Sequence, residues 1–204
     1  VMGIMAVLIA IELFSLWFSV NALSSIRSYV NAEGLWSKSQ KDAVYHLSLY
    51  ANNGEENEYK AFLDFVKVPL GDKKTRIELE KKNPDLTIAR QGFLEALNHP
   101  EDIEGMISLF RRFRKIYYID KAISIWAEAD SYIEKLISIG ERLNKEISSV
   151  SPSREKINQI LFEIPPLNKK LTQVENDFSY TLGEGSRWLE NLVLKILLSI
   201  AITV

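Results

Sequence analysis

The sequence predicts an all-α fold, a membrane-anchored helical bundle, on three observations. Both ends are apolar: residues 1–23 carry one charge, Glu12, and the run from Trp188 to Val204 carries only Glu190 and Lys195. About 20 apolar residues cross the hydrocarbon core of a bilayer as a helix. The 164 residues between the ends are polar, charged and periodic at helical spacing, and no alternating apolar–polar run of strand length occurs among them. The expected organisation is a transmembrane helix over 1–23, an extracytoplasmic helical domain over 24–187 and a second, truncated transmembrane helix over 188–204. The first and last long helices of the bundle are expected to be continuous with these two spans.

The first segment is read as a retained helix rather than a cleaved signal. Its apolar run is long, no basic start is visible, and Asn21-Ala22-Leu23 is a poor cleavage site. No proline follows up to Tyr50, and Tyr29, Trp36, Ala43 and Tyr50 recur every seven residues, with Val30, Val44 and Leu47 widening the stripe. One helix is therefore expected from the membrane to about Ala51, ended by the turn Asn52-Asn53-Gly54. A helix from Glu55 to about Lys67 turns Tyr59, Phe62, Leu63 and Val66 inward, and Pro69 and Gly71 are expected to interrupt it. Asp72 to Lys82 reads as a charged surface helix, Asn83-Pro84-Asp85 as a turn and cap, and Leu86 to Leu97 as a helix.

Asn98-His99-Pro100-Glu101 is a helix start, with proline suited to the first turn and His99 as cap. Ile103, Met106, Ile107, Phe110 and Phe113 form the apolar face that follows. From about Tyr117 to Ser148 a stripe of alternating four- and three-residue steps runs through Ile119, Ile123, Trp126, Asp130, Ile133, Ile137 and Gly140. After Ser151-Pro152-Ser153, a heptad line (Ile157, Ile160, Ile164, Leu167, Leu171, Val174, Phe178) passes straight through Pro165-Pro166. Phase kept across two prolines predicts a kinked helix rather than a loop. That helix is expected to run on through Gly183-Glu184-Gly185 into the second span.

Composition excludes several function classes. The chain has 25 basic and 27 acidic residues; without Glu12, Glu190 and Lys195, residues 24–187 hold 24 and 25. That balance argues against a nucleic-acid face. The absence of cysteine excludes disulfides, thiolate metal sites and cysteine nucleophiles. His46 and His99 stand far apart without a ligand-like companion, so neither metal nor cofactor is expected. No phosphate loop, nucleophile elbow or Ser/His/Asp set is present, so no catalytic residue is assigned.

Polar residues in apolar settings are the candidates for function. Glu12 and Lys195 fall at similar depths in the two spans, which permits an ion pair between spans or across a dimer, against the plainer reading of a protonated acid and a snorkelling lysine. Trp17 and Trp188 suit the outer interface. Asp130 sits on a core stripe and needs a partner, for which Arg111, Arg112 and Arg114 are the candidates. Glu33, Ser37 and Gln40 fall on the inward line of the first helix. Together these suggest a hydrated or ligand-filled pocket walled by Trp36, Tyr45 and Trp126, beside the alternative of an internal salt bridge that sets bundle register. The ligand-binding set is thus Trp36, Gln40, Tyr45, Arg111, Arg112, Trp126 and Asp130. Pro165, Pro166, Gly183 and Gly185 mark where stiffness drops, the expected signalling hinges.

Four runs carry a family resemblance: Tyr29 to Val44 (YVNAEGLWSKSQKDAV), Asn98 to Ile107 (NHPEDIEGMI), Phe110-Arg111-Arg112-Phe113, and Ile125 to Asp130 (IWAEAD). They resemble the helical input domain found before diguanylate cyclase, phosphodiesterase and histidine kinase outputs in bacterial transmembrane signalling proteins. The resemblance covers residues 24–187 and both spans. It implies a periplasmic sensor, a homodimer in the bacterial inner membrane, and a cytoplasmic output domain beyond residue 204. It implies a small-molecule or periplasmic protein ligand without naming one, and any enzymatic activity belongs to the output domain. A scaffolding membrane protein whose bundle docks a partner is the alternative.

Overall fold

The structure, a computed structural model, describes residues 2–203, with the side chains at 2, 4, 201 and 203 left aside. The outermost residues of both expected spans, Val1 and Val204, lie outside that range. Among the described residues there are seven helices and no strand: α1 Met2–Asn53, α2 Glu56–Glu80, α3 Leu86–Glu95, α4 Pro100–Phe113, α5 Tyr117–Ile147, α6 Arg154–Leu161 and α7 Ile164–Thr203. The all-α fold stands as expected.

α1 is unbroken over 52 residues, about 78 Å at 1.5 Å per residue. It stops where Gly54 takes a left-handed φ of 72° and its N–H bonds Tyr50 O at 2.8 Å, a turn that glycine adopts without steric penalty. Side chains cap three later helices: Asp85 accepts from Thr87 N on α3, the His99 ring from Glu101 N on α4, and Ser153 from Lys156 N on α6. α4 also opens with Pro100, Glu101 and Asp102 and closes with Arg111 and Arg112, in keeping with its dipole.

Two expectations about proline are overturned. α2 runs straight through Pro69 and Gly71, and both are buried. Packing on α1, α3 and α5 holds the helix together despite the lost hydrogen bond. The stretch after Gly71 is no surface helix either: Asp72, Thr75, Arg76, Glu78 and Leu79 are buried. The reason is α3, which crosses so closely that a methyl at Gly71 would sit 2.7 Å from Gly92 O and 2.8 Å from Ala96 N. At the other end, Pro165-Pro166 kinks nothing. α6 stops at Leu161, and the prolines occupy the first turn of α7, where a missing N–H leaves no bond unmade. The apolar line survives the break, since Ile157, Ile164, Leu167, Leu171 and Val174 are all buried.

Two cores stack along the bundle. The distal core joins Trp36, Ala43, Leu47 and Tyr50 of α1 to Phe62 and Val66 of α2, Ile133 to Leu143 of α5, Ile157 of α6 and the start of α7. The proximal core joins Ala22, Ile26 and Tyr29 to α3, α4, the start of α5 and Leu182 and Leu189 of α7. The inward set needs two corrections: Val30 and Leu63 are each 38% exposed, being one step off the buried phase of their helices.

Beyond the cores α1 is bare. Leu13, Phe14, Trp17 and Val20 are all more than 60% exposed. Among the described residues α1 is the one helix long and apolar enough to cross a membrane, and its most apolar window is only 11% buried. The described tail of α7 does not meet that standard, since its last 18 described residues carry Arg187, Glu190 and Lys195. Among the described residues, Glu12 and Lys195 form no ion pair with each other.

Candidate functional site

A polar layer separates the two cores, and a cavity opens in it. Its helix-to-helix bonds come from positions where the apolar stripes are interrupted. Ser37 donates to Glu175 Oε2 at 2.9 Å, and Lys41 Nζ donates to the same oxygen at 3.1 Å. Ser179 donates to Glu33 Oε2 at 3.0 Å. Gln40 Nε2 donates to Asn168 Oδ1 at 3.0 Å. These four bonds tie α1 to α7. On the far side Arg76 Nε donates to Asp130 Oδ2 at 2.7 Å, joining α2 to α5, and Asn98 donates to Asp72 Oδ1 at 3.4 Å.

The cavity measures about 50 Å³ and is lined by α1, α2, α3, α5 and α7. Tyr29, Trp36, Phe93, Trp126 and Phe178 supply the walls, and Glu33, Asp72 and Glu175 also border a space whose accessible surface is almost wholly apolar. The aromatic box is held by edge-on contacts, with Tyr29 centroids 6.2 Å from both Phe93 and Trp126. Tyr29 is further anchored by donating its hydroxyl to Met106 O at 3.0 Å.

Two buried polar atoms on the lining residues have no partner: the indole N–H of Trp36 and Oε1 of Glu175. Beside the cavity, Asp130 Oδ1 and Gln40 Oε1 are likewise unmatched. Unmatched buried groups are uncommon in native folds and ask for an explanation.

Burial raises the proton affinity of several carboxyls here. Asp72 is pushed well above the usual carboxylate range by burial and by the nearby Asp130, with only the Asn98 bond opposing. Asp130 is pushed up to about 6 by burial, although Arg76 holds it in the opposite direction. Glu33 is raised by burial, and Glu175 adds to the shift while the Ser179 bond and Lys41 oppose it. Burial also raises the Tyr29 hydroxyl.

Of the residues singled out from sequence, Trp36 and Trp126 both line the cavity. Gln40 is fully buried but belongs to the adjoining α1–α7 seam. Tyr45 is no wall: it is 59% exposed and packs edge-on against His46. Asp130 is paired by Arg76 rather than by Arg111, Arg112 or Arg114. Arg111 and Arg112 border a separate surface depression with Leu86, Glu104, Ile107 and Ser108, and Arg114 reaches Glu80 O. They lie on the outer face of α4 because Met106, Ile107 and Phe110 claim its inner face.

Gly183 and Gly185 do not loosen α7, which is helical throughout. Gly185 gives room to Tyr118, whose Cβ would lie 3.0 Å from an added methyl. The sequence reading missed Tyr29, Asp72, Phe93 and Glu175. Tyr29 stood on the heptad stripe as core. Asp72 was hidden by reading its helix as surface; its spacing from Val68 and Thr75 was the available signal. Glu175 adjoins Val174 on the heptad line and carried no signal of its own.

No protein-family model, no curated protein and no solved structure matches this chain.

Proposed function

We propose that this chain is the input module of a transmembrane signalling protein. In this reading it is anchored in the bacterial inner membrane by two helices, with residues 24–187 in the periplasm as a homodimer. A ligand or partner alters bundle packing, and α1 and α7 carry the change to an output domain of the diguanylate cyclase, phosphodiesterase or histidine kinase kind. One observation supports the reading above the others. The cavity wall residues Tyr29, Ala32, Glu33 and Trp36 lie on the same unbroken helix as the bare apolar segment. Bistable packing at such a wall reaches the membrane end without a flexible joint.

The scaffolding alternative is favoured by the distal tip, where Val150 is fully exposed and Phe162 is 78% exposed. A ligand-independent experiment separates the two. The chain lacks cysteine, so Arg27→Cys and Arg187→Cys place spin labels on exposed faces of α1 and α7. Ala129→Leu then fills the cavity in place of a guest. In lipid nanodiscs the sensor reading expects the inter-label distance distribution to move by an ångström or more. An unmoved distribution with the fold intact leaves the scaffold reading.

A further inference from the structure

We infer that the turn between α4 and α5 docks on anionic phospholipid headgroups of the bilayer that α1 enters. This contact goes beyond the sensor reading and needs only the apolar part of α1 to lie in a membrane.

α4 runs down α1 toward the apolar segment. Met106 O takes the Tyr29 hydroxyl at 3.0 Å. Gly105 packs on Ser25, whose Oγ would lie 2.8 Å from an added methyl. Phe113 then meets Phe18, with ring centroids 5.7 Å apart. Phe18 precedes Leu23 in α1 by about 7 Å of helix. The chain turns at Arg114, Lys115 and Ile116, between the end of α4 and the start of α5. It climbs away again in α5, where Trp126 faces Tyr29. The turn is therefore the part of α4 and α5 nearest the apolar end of α1. The polar layer of a bilayer is about 5–7 Å thick on each side. With the apolar segment embedded, the turn lies in that layer.

The run at this turn is Arg111-Arg112-Phe113-Arg114-Lys115, and its four cations are all exposed. Among the described residues none of the four is in an ion pair. Arg114 makes a long bond to Glu80 O at 3.4 Å, a neutral acceptor that leaves its charge uncompensated. Neighbouring acids do not cancel the patch. Glu104 is engaged by Arg90 and Glu80 by Arg76, which leaves Asp120 of the first α5 turn against four cations. On α7, Arg187 is already held by Glu184.

Aromatic rings mark the same level. Trp17 and Tyr117 are 62% and 66% exposed, and Tyr118 packs on Trp188. Such rings favour the boundary between hydrocarbon and headgroups. The cavity behind the turn, around Phe18, Phe113 and Trp188, has an almost wholly apolar lining. An anion has no partner inside it and is met on the outer face of the turn. A bilayer surface presents many headgroups to the four cations at once, and each cation near such a surface adds about fivefold to the affinity.

The test uses the full chain in lipid nanodiscs. The chain lacks cysteine, so Tyr117→Cys carries a bimane fluorophore at the turn. Its quenching by phosphatidylglycerol with a doxyl group near the headgroup is compared with quenching by the same amount of the phosphatidylcholine analogue. Phosphatidylglycerol should be enriched about fivefold or more. The enrichment should vanish in R111Q/R112Q/R114Q/K115Q and in about 1 M sodium chloride, where the Debye length is about 3 Å. Equal quenching by the two lipids overturns the contact. So does an enrichment that survives neutralisation of the four cations in a chain that keeps its helical circular dichroism. Should that variant fail to fold, an enrichment unchanged by salt overturns the contact as well. Equal lipid quenching together with capture of soluble polyglutamate at the turn assigns the patch to an acidic protein instead. A label at Leu13→Cys, quenched by both lipids, shows separately that the apolar segment is embedded. The sensor reading stands or falls by the spin-label distances, whatever lipid gathers here.

Discussion

The two cores of this bundle are built differently. The distal one is tightly filled: Ala43, Leu47, Phe62, Leu136, Leu143 and Leu171 are each fully buried. The proximal one is rich in aromatic rings and holds the voids. One void lies under Leu109, Phe110, Ile119 and Leu182. A second, of about 240 Å³, opens between α1, α4, α5 and α7 around Phe18, Phe113 and Trp188. Tight packing fixes one arrangement, whereas voids leave room for others. The half nearer the apolar ends is therefore the half able to repack, and the polar layer between the cores is where an input would tip it.

The sharpest way to break this comparison is to attack the polar layer. Arg76→Ala strands Asp130 at 3% exposure; at pH 7 it should cost about 3–5 kcal/mol in chemical denaturation. Replacing both partners with apolar residues should cost far less, and a double variant as damaged as the single one would contradict the pairing. A smaller effect separates the cores themselves. Ala43→Val, in the distal core, should cost about 1–3 kcal/mol by overpacking. Ala122→Val borders the void under Phe110 and should cost under about 1 kcal/mol. Equal melting temperatures for the two variants would show that the cores do not differ in tightness.

Acidity provides the next test. The folded chain holds Asp130 protons up to about pH 6, against an ordinary 3.8 when unfolded, and Asp72 shifts the same way. Between those values the native state binds more protons, so stability rises as pH falls from 7 toward 5 and is lowest above pH 6. The groups facing Asp130 are Arg76, Lys73 and Asp72 from α2 and Glu134 from its own helix. Glu78, Glu95, Glu104, Glu134 and Glu163 are held low by their partners, so their contribution is lost only at lower pH. A gain of at least about 1 kcal/mol from pH 7 to 5 is expected, reduced by Asp130→Asn and largely removed only when Asp72→Asn is added. A flat profile in the parent chain would contradict the assignment. The smallest effect belongs to Tyr45→Ala, which should stay within about 0.5 kcal/mol because the ring lies in solvent. A larger loss in the same denaturation experiment would restore Tyr45 to the pocket wall.

Much of the architecture is readable from period alone. Tyr29, Trp36, Ala43 and Tyr50 are all buried, so the heptad on α1 marks the true inward face. Asp130 was recognisable as a core carboxylate from its place on the α5 stripe. The prolines misled in both directions. Pro69 was tolerated because neighbouring helices clamp α2, and Pro165-Pro166 sit at a helix start because Phe162 and Glu163 leave the helix first. Neither outcome depends on local sequence alone.

The sequence by itself determined what is local: the helices, the inward face of most of them, the apolar ends and the few polar residues placed on apolar stripes. Periodicity along one helix specifies which side chains leave water, since that depends on 3.6 residues per turn. It does not specify which helix meets them there. Only the tertiary structure decided that Arg76, rather than Arg111, Arg112 or Arg114, answers Asp130. It alone placed Glu175 and Ser37 together and enclosed Tyr29, Trp36, Phe93 and Trp126 around one space. Those pairings join residues many tens of positions apart, and they follow from how close the helices can approach, as Gly71 and Gly92 show where α2 and α3 nearly touch.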